Sequence, residues 1–135
     1  MPSPNPPVGT VAARDRSGSA AVSGQTAVTL IAAAGTQRRL KITDLAFSWP
    51  VIAANIAQVY YVRPSDSVVV DLARVNMGGA ASVEPGFAVF DFAGNNRTLP
   101  ANTPLLFIQS ANVAINVTYG AYVDTPSTLG VPSVP

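Results

Sequence analysis

The chain contains no cysteine and no histidine. Without cysteine there are no disulfides and no thiolate metal ligands, so packing, hydrogen bonding and association with other chains must hold the fold together. Without histidine there is no imidazole ligand, no Ser-His-Asp or Cys-His arrangement, and no side chain whose ordinary pKa lies near neutrality. Charge is also scarce, at 11% of residues against about 25% in an ordinary soluble domain. A net charge of +1 exerts little pull on a phosphate backbone, and the only basic cluster near a predicted strand is Arg38-Arg39 with Lys41. No nucleic-acid partner is expected. Long apolar runs are missing too: the stretch Pro50 to Val62 is interrupted by Asn55 and Gln58 and falls short of the roughly 20 residues that span a bilayer. No membrane partner is expected. The opening Met-Pro-Ser-Pro-Asn-Pro-Pro has neither the charged start nor the apolar segment of a secretory signal, which predicts synthesis in the cytoplasm.

What is present is a chain of 135 residues, enough for one domain, with an apolar fraction of 48%. With so few charges, its surface must be built of Ser, Thr, Asn, Ala and Gly. Charge normally keeps proteins apart, so such a surface is expected to be covered in an assembly; the alternative is a soluble sandwich with a Thr/Ser-rich exterior. Seven of the eight cations are arginine, whose planar fork suits interface ion pairs.

The organisation reads as a β-rich body between two proline-rich ends. Pro2, Pro4, Pro6 and Pro7 open the chain, and Pro126, Pro132 and Pro135 close it, so neither end continues a helix or a central strand. Residues 1–24 are read as an extended N-terminal arm and linker, 25–124 as the body, and 125–135 as a C-terminal tail. Within the body, strands are predicted over Gln25–Ala33, Arg38–Ser48, Asn55–Arg63, Ser67–Val75, Phe87–Phe92, Leu105–Ser110 and Val113–Val123. Turn residues separate them at Pro64-Ser65-Asp66, Met77-Gly78-Gly79, Glu84-Pro85-Gly86 and Gly94-Asn95-Asn96.

In the second of these strands Leu40 and Ile42 share one face while Leu45 and Phe47 have the opposite parity. That predicts either a bulge at Thr43-Asp44 or a strand that changes sheets. In the last, Val113, Ile115, Val117, Tyr119, Ala121 and Val123 alternate with small or polar residues, the period-two pattern of a half-buried strand. With the preceding Leu105 segment it reads as a β-hairpin. Ala93 to Pro104 reads as a crossover between sheets, or as carrying a short edge strand at Thr98 to Ala101. The expected fold is all-β: an antiparallel two-sheet β-sandwich of jelly-roll type with extended proline-rich arms.

Candidate chemistry is thin. Paired carboxylates could run glycoside hydrolysis, and the acids available are Asp15, Asp44, Asp66, Asp71, Glu84, Asp91 and Asp124, but Asp66 and Asp71, which flank one strand, read as a turn residue and a solvated strand residue. Lys41 is the single lysine and has no Ser-x-x-Lys spacing to make it a catalytic base. Asp91 with Gly94-Asn95-Asn96 comes nearest to a calcium loop but reads as a turn. No catalytic residue, cofactor or metal is expected, and the chain is not expected to be an enzyme. Aromatics are the remaining candidates for recognition. Trp49 precedes a proline at a strand end, adjacent Tyr60 and Tyr61 must face opposite ways, and Tyr122 lies on the outward parity of the last strand. Together with Arg14 and Arg16 of the arm, Trp49, Tyr61 and Tyr122 form the candidate subunit or capsid interface.

The run Arg39-Leu40-Lys41-Ile42-Thr43-Asp44-Leu45-Ala46-Phe47-Ser48, followed by Leu99-Pro100-Ala101-Asn102-Thr103-Pro104-Leu105 and then Val113-Ala114-Ile115-Asn116-Val117-Thr118-Tyr119-Gly120-Ala121-Tyr122, resembles the small jelly-roll decoration (cement) proteins of tailed double-stranded DNA bacteriophages. The resemblance spans about Ala27 to Val123 and departs at Ser48-Trp49-Pro50-Val51, where a Ser-Asn-Thr type turn is expected. It implies a structural virion protein on the outer capsid surface, probing no substrate and binding itself, as a homotrimer, and the major capsid protein. The alternative, from another class, is a receptor- or glycan-binding domain of a phage head or tail fibre.

Overall fold

The computed structural model describes residues 15–50, 54–77, 86–92 and 94–124. The proline-rich segments 1–14 and 125–135, including Arg14, lie outside the described residues. Nine strands are formed, and no helix occurs among the described residues: β1 (Gly18–Val22), β2 (Val28–Ile31), β3 (Arg39–Trp49), β4 (Ile56–Val62), β5 (Val69–Asn76), β6 (Gly86–Asp91), β7 (Arg97–Thr98), β8 (Leu105–Gln109) and β9 (Ile115–Asp124). All pair antiparallel in two sheets, one in the order β1-β9-β3-β6 with β7 also on β3, the other in the order β2-β8-β4-β5.

The pairings are nested. β4–β5 is the innermost, followed outward by β3–β6, β2–β8 and β1–β9, and successive pairs fall in alternate sheets. This is the jelly roll, a long antiparallel ribbon wrapped into two facing sheets. Between them lies the core: Leu40, Ile42, Leu45, Phe47 and Val117 of the first sheet meet Ala57, Val59, Leu105 and Phe107 of the second, all with almost no exposure. Each comes from the inward parity of its strand.

Two expectations are corrected by this wrapping. β8 and β9 do not form a hairpin: β8 pairs β2 and β4 in one sheet, and β9 pairs β1 and β3 in the other. The corner between them is held by buried Gln109, whose Nε2 donates to Val113 O at 3.0 Å and to Gly24 O at 2.9 Å. The stretch read as linker also contains a strand. β1 pairs β9 from Gly18 opposite Tyr119 to Val22 opposite Ile115, so the sandwich includes residues placed before residue 25. Its side chains are too small to show a hydrophobic alternation, and only Val22 is buried.

Elsewhere the predicted strands stand, with ends moved by up to three residues in either direction. The parity change in β3 is a bulge: its register on β9 shifts between Ile42 and Asp44 while the whole strand stays in one sheet. The segment after β6 combines the two alternatives, with the short strand at Arg97–Thr98 and not Thr98 to Ala101: β7 lies against β3, and the chain then crosses to β8 in the opposite sheet.

The one connection that stays within a sheet between neighbouring strands is the β4–β5 turn. Arg63 N–H donates to Val68 O at 2.8 Å, and Ser67 takes the left-handed φ of 61° that closes the loop. Asp66 reinforces it, accepting from Arg63 Nε at 2.9 Å and Nη2 at 2.7 Å and from the Val68 N–H at 3.2 Å. These hydrogen bonds, that from the guanidinium first, hold the Asp66 carboxyl below its ordinary value. A carboxylate with a lowered folded pKa stabilises the fold above its unfolded pKa, and that contribution is lost as pH falls through the lowered value. In urea melts of wild type and Asp66→Asn, the gap between midpoints should therefore be widest near neutrality and close below about pH 4.

Candidate functional site

Register places the outward side chains of the first sheet in rows. One row runs Ala21, Asn116, Ser48, Phe87, and the next runs Ser19, Thr118, Ala46, Val89. None of these eight is charged. Phe87 is 75% exposed and Val89 61%, the largest exposures of bulky apolar side chains among the described residues. Both stand on β6, an edge strand. Further along the same face the chemistry changes: Asp44 pairs in register with Asp91, Lys41 with Tyr122, and Arg39 with Asp124, whose side chains form an ion pair at 3.5 Å. The face is thus neutral and partly apolar at one end and charged at the other.

β6 acquires this character from its sequence. In Gly86-Phe87-Ala88-Val89-Phe90-Asp91 the inward parity carries Ala88 and Phe90, which pack on the core, while the outward parity carries Phe87 and Val89. Phe90 meets Phe47 edge-on with ring centroids 5.9 Å apart. An apolar outward parity next to a sheet edge is unusual, because proteins commonly guard such edges with charge.

At the neutral end an open groove of about 600 Å3 is bounded by Ala21, Trp49, Gly86, Phe87, Ile115 and Asn116, among others, with no charged residue among those that line it. Trp49 lies opposite Gly86 in the β3–β6 ladder. A Cβ on Gly86 would sit 2.7 Å from three atoms of the indole, so glycine is what lets the β6 backbone lie across the ring.

The five interface candidates are not brought together. Arg14 is outside the described residues. Arg16 is half-buried beside β9, where its N–H donates to Ala121 O at 3.0 Å, and its guanidinium pairs with Asp15 at 3.4 Å. Tyr122 lies on the outward face, and its hydroxyl accepts from Asn96 Nδ2 at 3.5 Å. Trp49 is 9% exposed and belongs to the core, and the same indole bounds the groove. Tyr61 packs against the core from the second sheet, leaving Tyr60 as the outward member of that pair. Phe87 and Val89 were missed. Their signal is a strand with apolar residues on both parities.

The remaining polar clusters are structural. Asp71 accepts from Gln58 Nε2 at 2.9 Å and Arg74 Nη1 at 3.3 Å. In the 92–97 loop Asn95 N–H donates to Phe92 O, Arg97 Nη1 donates to Asn95 O, and the guanidinium lies 4.6 Å from the Phe92 ring centre. A turn braced by a cation is what that loop holds. Among the described residues no three acidic side chains converge as metal ligands would.

No family model and no curated protein matches the sequence. Among solved structures the chain is similar to one described as the structure of infectious bursal disease virus Gx strain, at 15% identity and a TM-score of 0.40, covering 83% of this chain and 30% of that one. It is also similar to the structure of infectious bursal disease virus Gt strain, at 13% identity and a TM-score of 0.37, covering 91% of this chain and 37% of that one. The chain spans about a third of the length of each of these structures.

Proposed function

We propose that this chain is a structural virion protein that decorates and stabilises the outer surface of a phage capsid by bridging major capsid subunits as a homotrimer. The observation that carries the reading is the outward face of the first sheet, where Phe87 and Val89 stand exposed beside a neutral field of Ser, Thr, Ala and Asn. Such a face gains by being covered and offers no charged group whose desolvation would oppose it. The jelly-roll strand order and the resemblance of the β3 and β9 segments to cement proteins point the same way. A role in catalysis has little to draw on, since the chain has neither histidine nor cysteine.

A glycan-binding fibre domain needs an aromatic ring with an open face. Of the rings expected to stack on a sugar, Trp49 and Tyr61 pack on the core, and Tyr60 is the one that does not.

The test is binding of the full chain to expanded, DNA-free heads assembled from the major capsid protein of the same phage. Saturable occupancy and a higher melting temperature of the heads are expected. Phe87→Glu with Val89→Glu should reduce affinity at least tenfold, since each places an unpaired charge in the covered face. Binding that ignores both substitutions moves the interface elsewhere, and a melting shift of the isolated chain with sugars would favour the fibre reading.

A further inference from the structure

The groove at Trp49 carries an unmade hydrogen bond. Trp49 is nine-tenths buried, and its Nε1–H has no acceptor among the described residues. Native proteins rarely leave a buried donor unpaired, because its lost hydration is not repaid. The indole borders the groove against Gly86, the first residue of a strand that among the described residues has a neighbour on one side only, so the covering backbone has room to give. Above it the lining is neutral and partly apolar, with Phe87, Ile115, Ala21 and Asn116 around the indole. The ligand that fits is uncharged, extended and rich in hydrogen-bond acceptors.

This chain contains such a segment. Residues 2–7, Pro-Ser-Pro-Asn-Pro-Pro, carry no charged side chain, and the prolines have carbonyls but no N–H, so acceptors outnumber donors. Proline-rich segments of this kind favour polyproline II, the form that docks in aromatic-lined grooves at low entropic cost.

The direction of β1 favours a second copy as the donor. β1 runs toward the groove, from Gly18 opposite Tyr119 to Val22 opposite Ile115, and Arg16 extends that ladder to Ala121. The chain therefore enters the sandwich from the end opposite the groove, roughly 20 Å away along six residues of β9. A donor segment of the same copy would have to double back past β1 to reach this groove. We infer that residues 2–7 of one copy seat in the Trp49 groove of the next, with a proline-segment carbonyl accepting from the indole N–H. A polyproline II path from Asp15 back to Pro4 reaches about 34 Å, enough to leave one sandwich for another. Head-to-tail contacts of this type close into rings where the rotation permits, a homotrimer among them. The inference needs no capsid, so its failure is separate from that of the capsid reading.

Complementation of two full-length variants tests it. Pro4→Asp with Pro7→Asp disables the donor segment, and Asn116→Arg, on an exposed strand position, obstructs the groove. Wild type should self-associate in sedimentation velocity, with each variant alone at least tenfold weaker. Mixed, the two should form a 1:1 dimer, because one retains a groove and the other a donor. The chain has a single tryptophan, so the indole N–H resonance of the 15N-labelled Pro4→Asp, Pro7→Asp chain, whose groove is intact, should move downfield on mixing with the Asn116→Arg chain. A wild type that remains monomeric at several hundred micromolar overturns the inference, whether the segment is free or folds back on its own groove. So does a mixture that stays monomeric, or an indole shift induced by oligosaccharides and not by the Asn116→Arg chain.

Discussion

Phe47→Ala should lower the free energy of unfolding by about 3–5 kcal/mol, the largest loss expected of any single truncation in this chain. Phe47 is 1% exposed at the centre of the sandwich. Its ring meets Phe90 of β6 edge-on at 5.9 Å and Phe107 of β8 at 6.3 Å with a 41° tilt, so it is the link between the aromatic side chains of both sheets. Removing it forfeits the transfer free energy of a benzyl group and two aromatic contacts, and leaves a void bounded by both layers. The void cannot close easily, because β3 is laddered to β9 on one side and to β6 on the other and the backbones are not free to approach. Phe47→Leu, which keeps most of the volume, should lose about 1–2 kcal/mol. Urea unfolding of the three proteins checks this; a loss under about 1.5 kcal/mol for the alanine variant would mean that the sheets collapse onto the gap.

Asn55→Ala should be nearly as severe, at about 3–4 kcal/mol, although it removes only a few atoms. Asn55 is 3% exposed and sits just before β4. Its Oδ1 accepts from the N–H groups of Ala111 at 2.9 Å and Ser110 at 3.1 Å, with Ser110 Oγ at 3.3 Å. Its Nδ2 donates to Gln109 Oε1 at 2.9 Å. One amide thus satisfies the corner at which the chain leaves β8 for the other sheet. Truncation leaves the Ala111 N–H and the buried Gln109 Oε1 without these partners, each worth about 1–3 kcal/mol when unmet, though not additively, while the Ser110 N–H keeps Ile56 O at 3.0 Å. Amide exchange at Ser110 and Ala111 should accelerate far more than in the centre of β3. Uniform acceleration would place the loss in global stability and not at this corner.

These two residues mark where the sequence was legible. Phe47 was readable as core, since the parity of Leu40, Ile42, Leu45 and Phe47 predicts both burial and the bulge at Thr43-Asp44 that reconciles them. Asn55 was not, because a polar side chain at a strand edge looks the same whether it is solvated or clamps a corner. The interface candidates divide likewise. Tyr122 was placed outward by alternation alone, and the structure agrees. Trp49 and Tyr61 could each have served a core or a contact surface, since a large aromatic suits both, and only the neighbouring strand decides that they pack on the core. For Trp49 that neighbour is Gly86, 37 residues further on, whose missing side chain is the space the indole fills.

The sequence by itself determined the all-β class, the positions of most strands, the inward face of each, and the scarcity of charge and reactive side chains that turns attention from catalysis to contact. These are local properties: side-chain alternation, turn residues and composition act over a few residues. Which sheet each strand joins was decided only by the tertiary structure. In the nested ribbon nearly every strand pairs with one distant in the chain, so the clearest pair of neighbouring strands, β8 and β9, stands on opposite layers, and a segment without apolar alternation becomes the edge strand β1. The same wrapping sets Phe87 and Val89 on an open edge, next to the neutral rows supplied by β1, β9 and β3, and so assembles a surface that no single stretch of the chain contains.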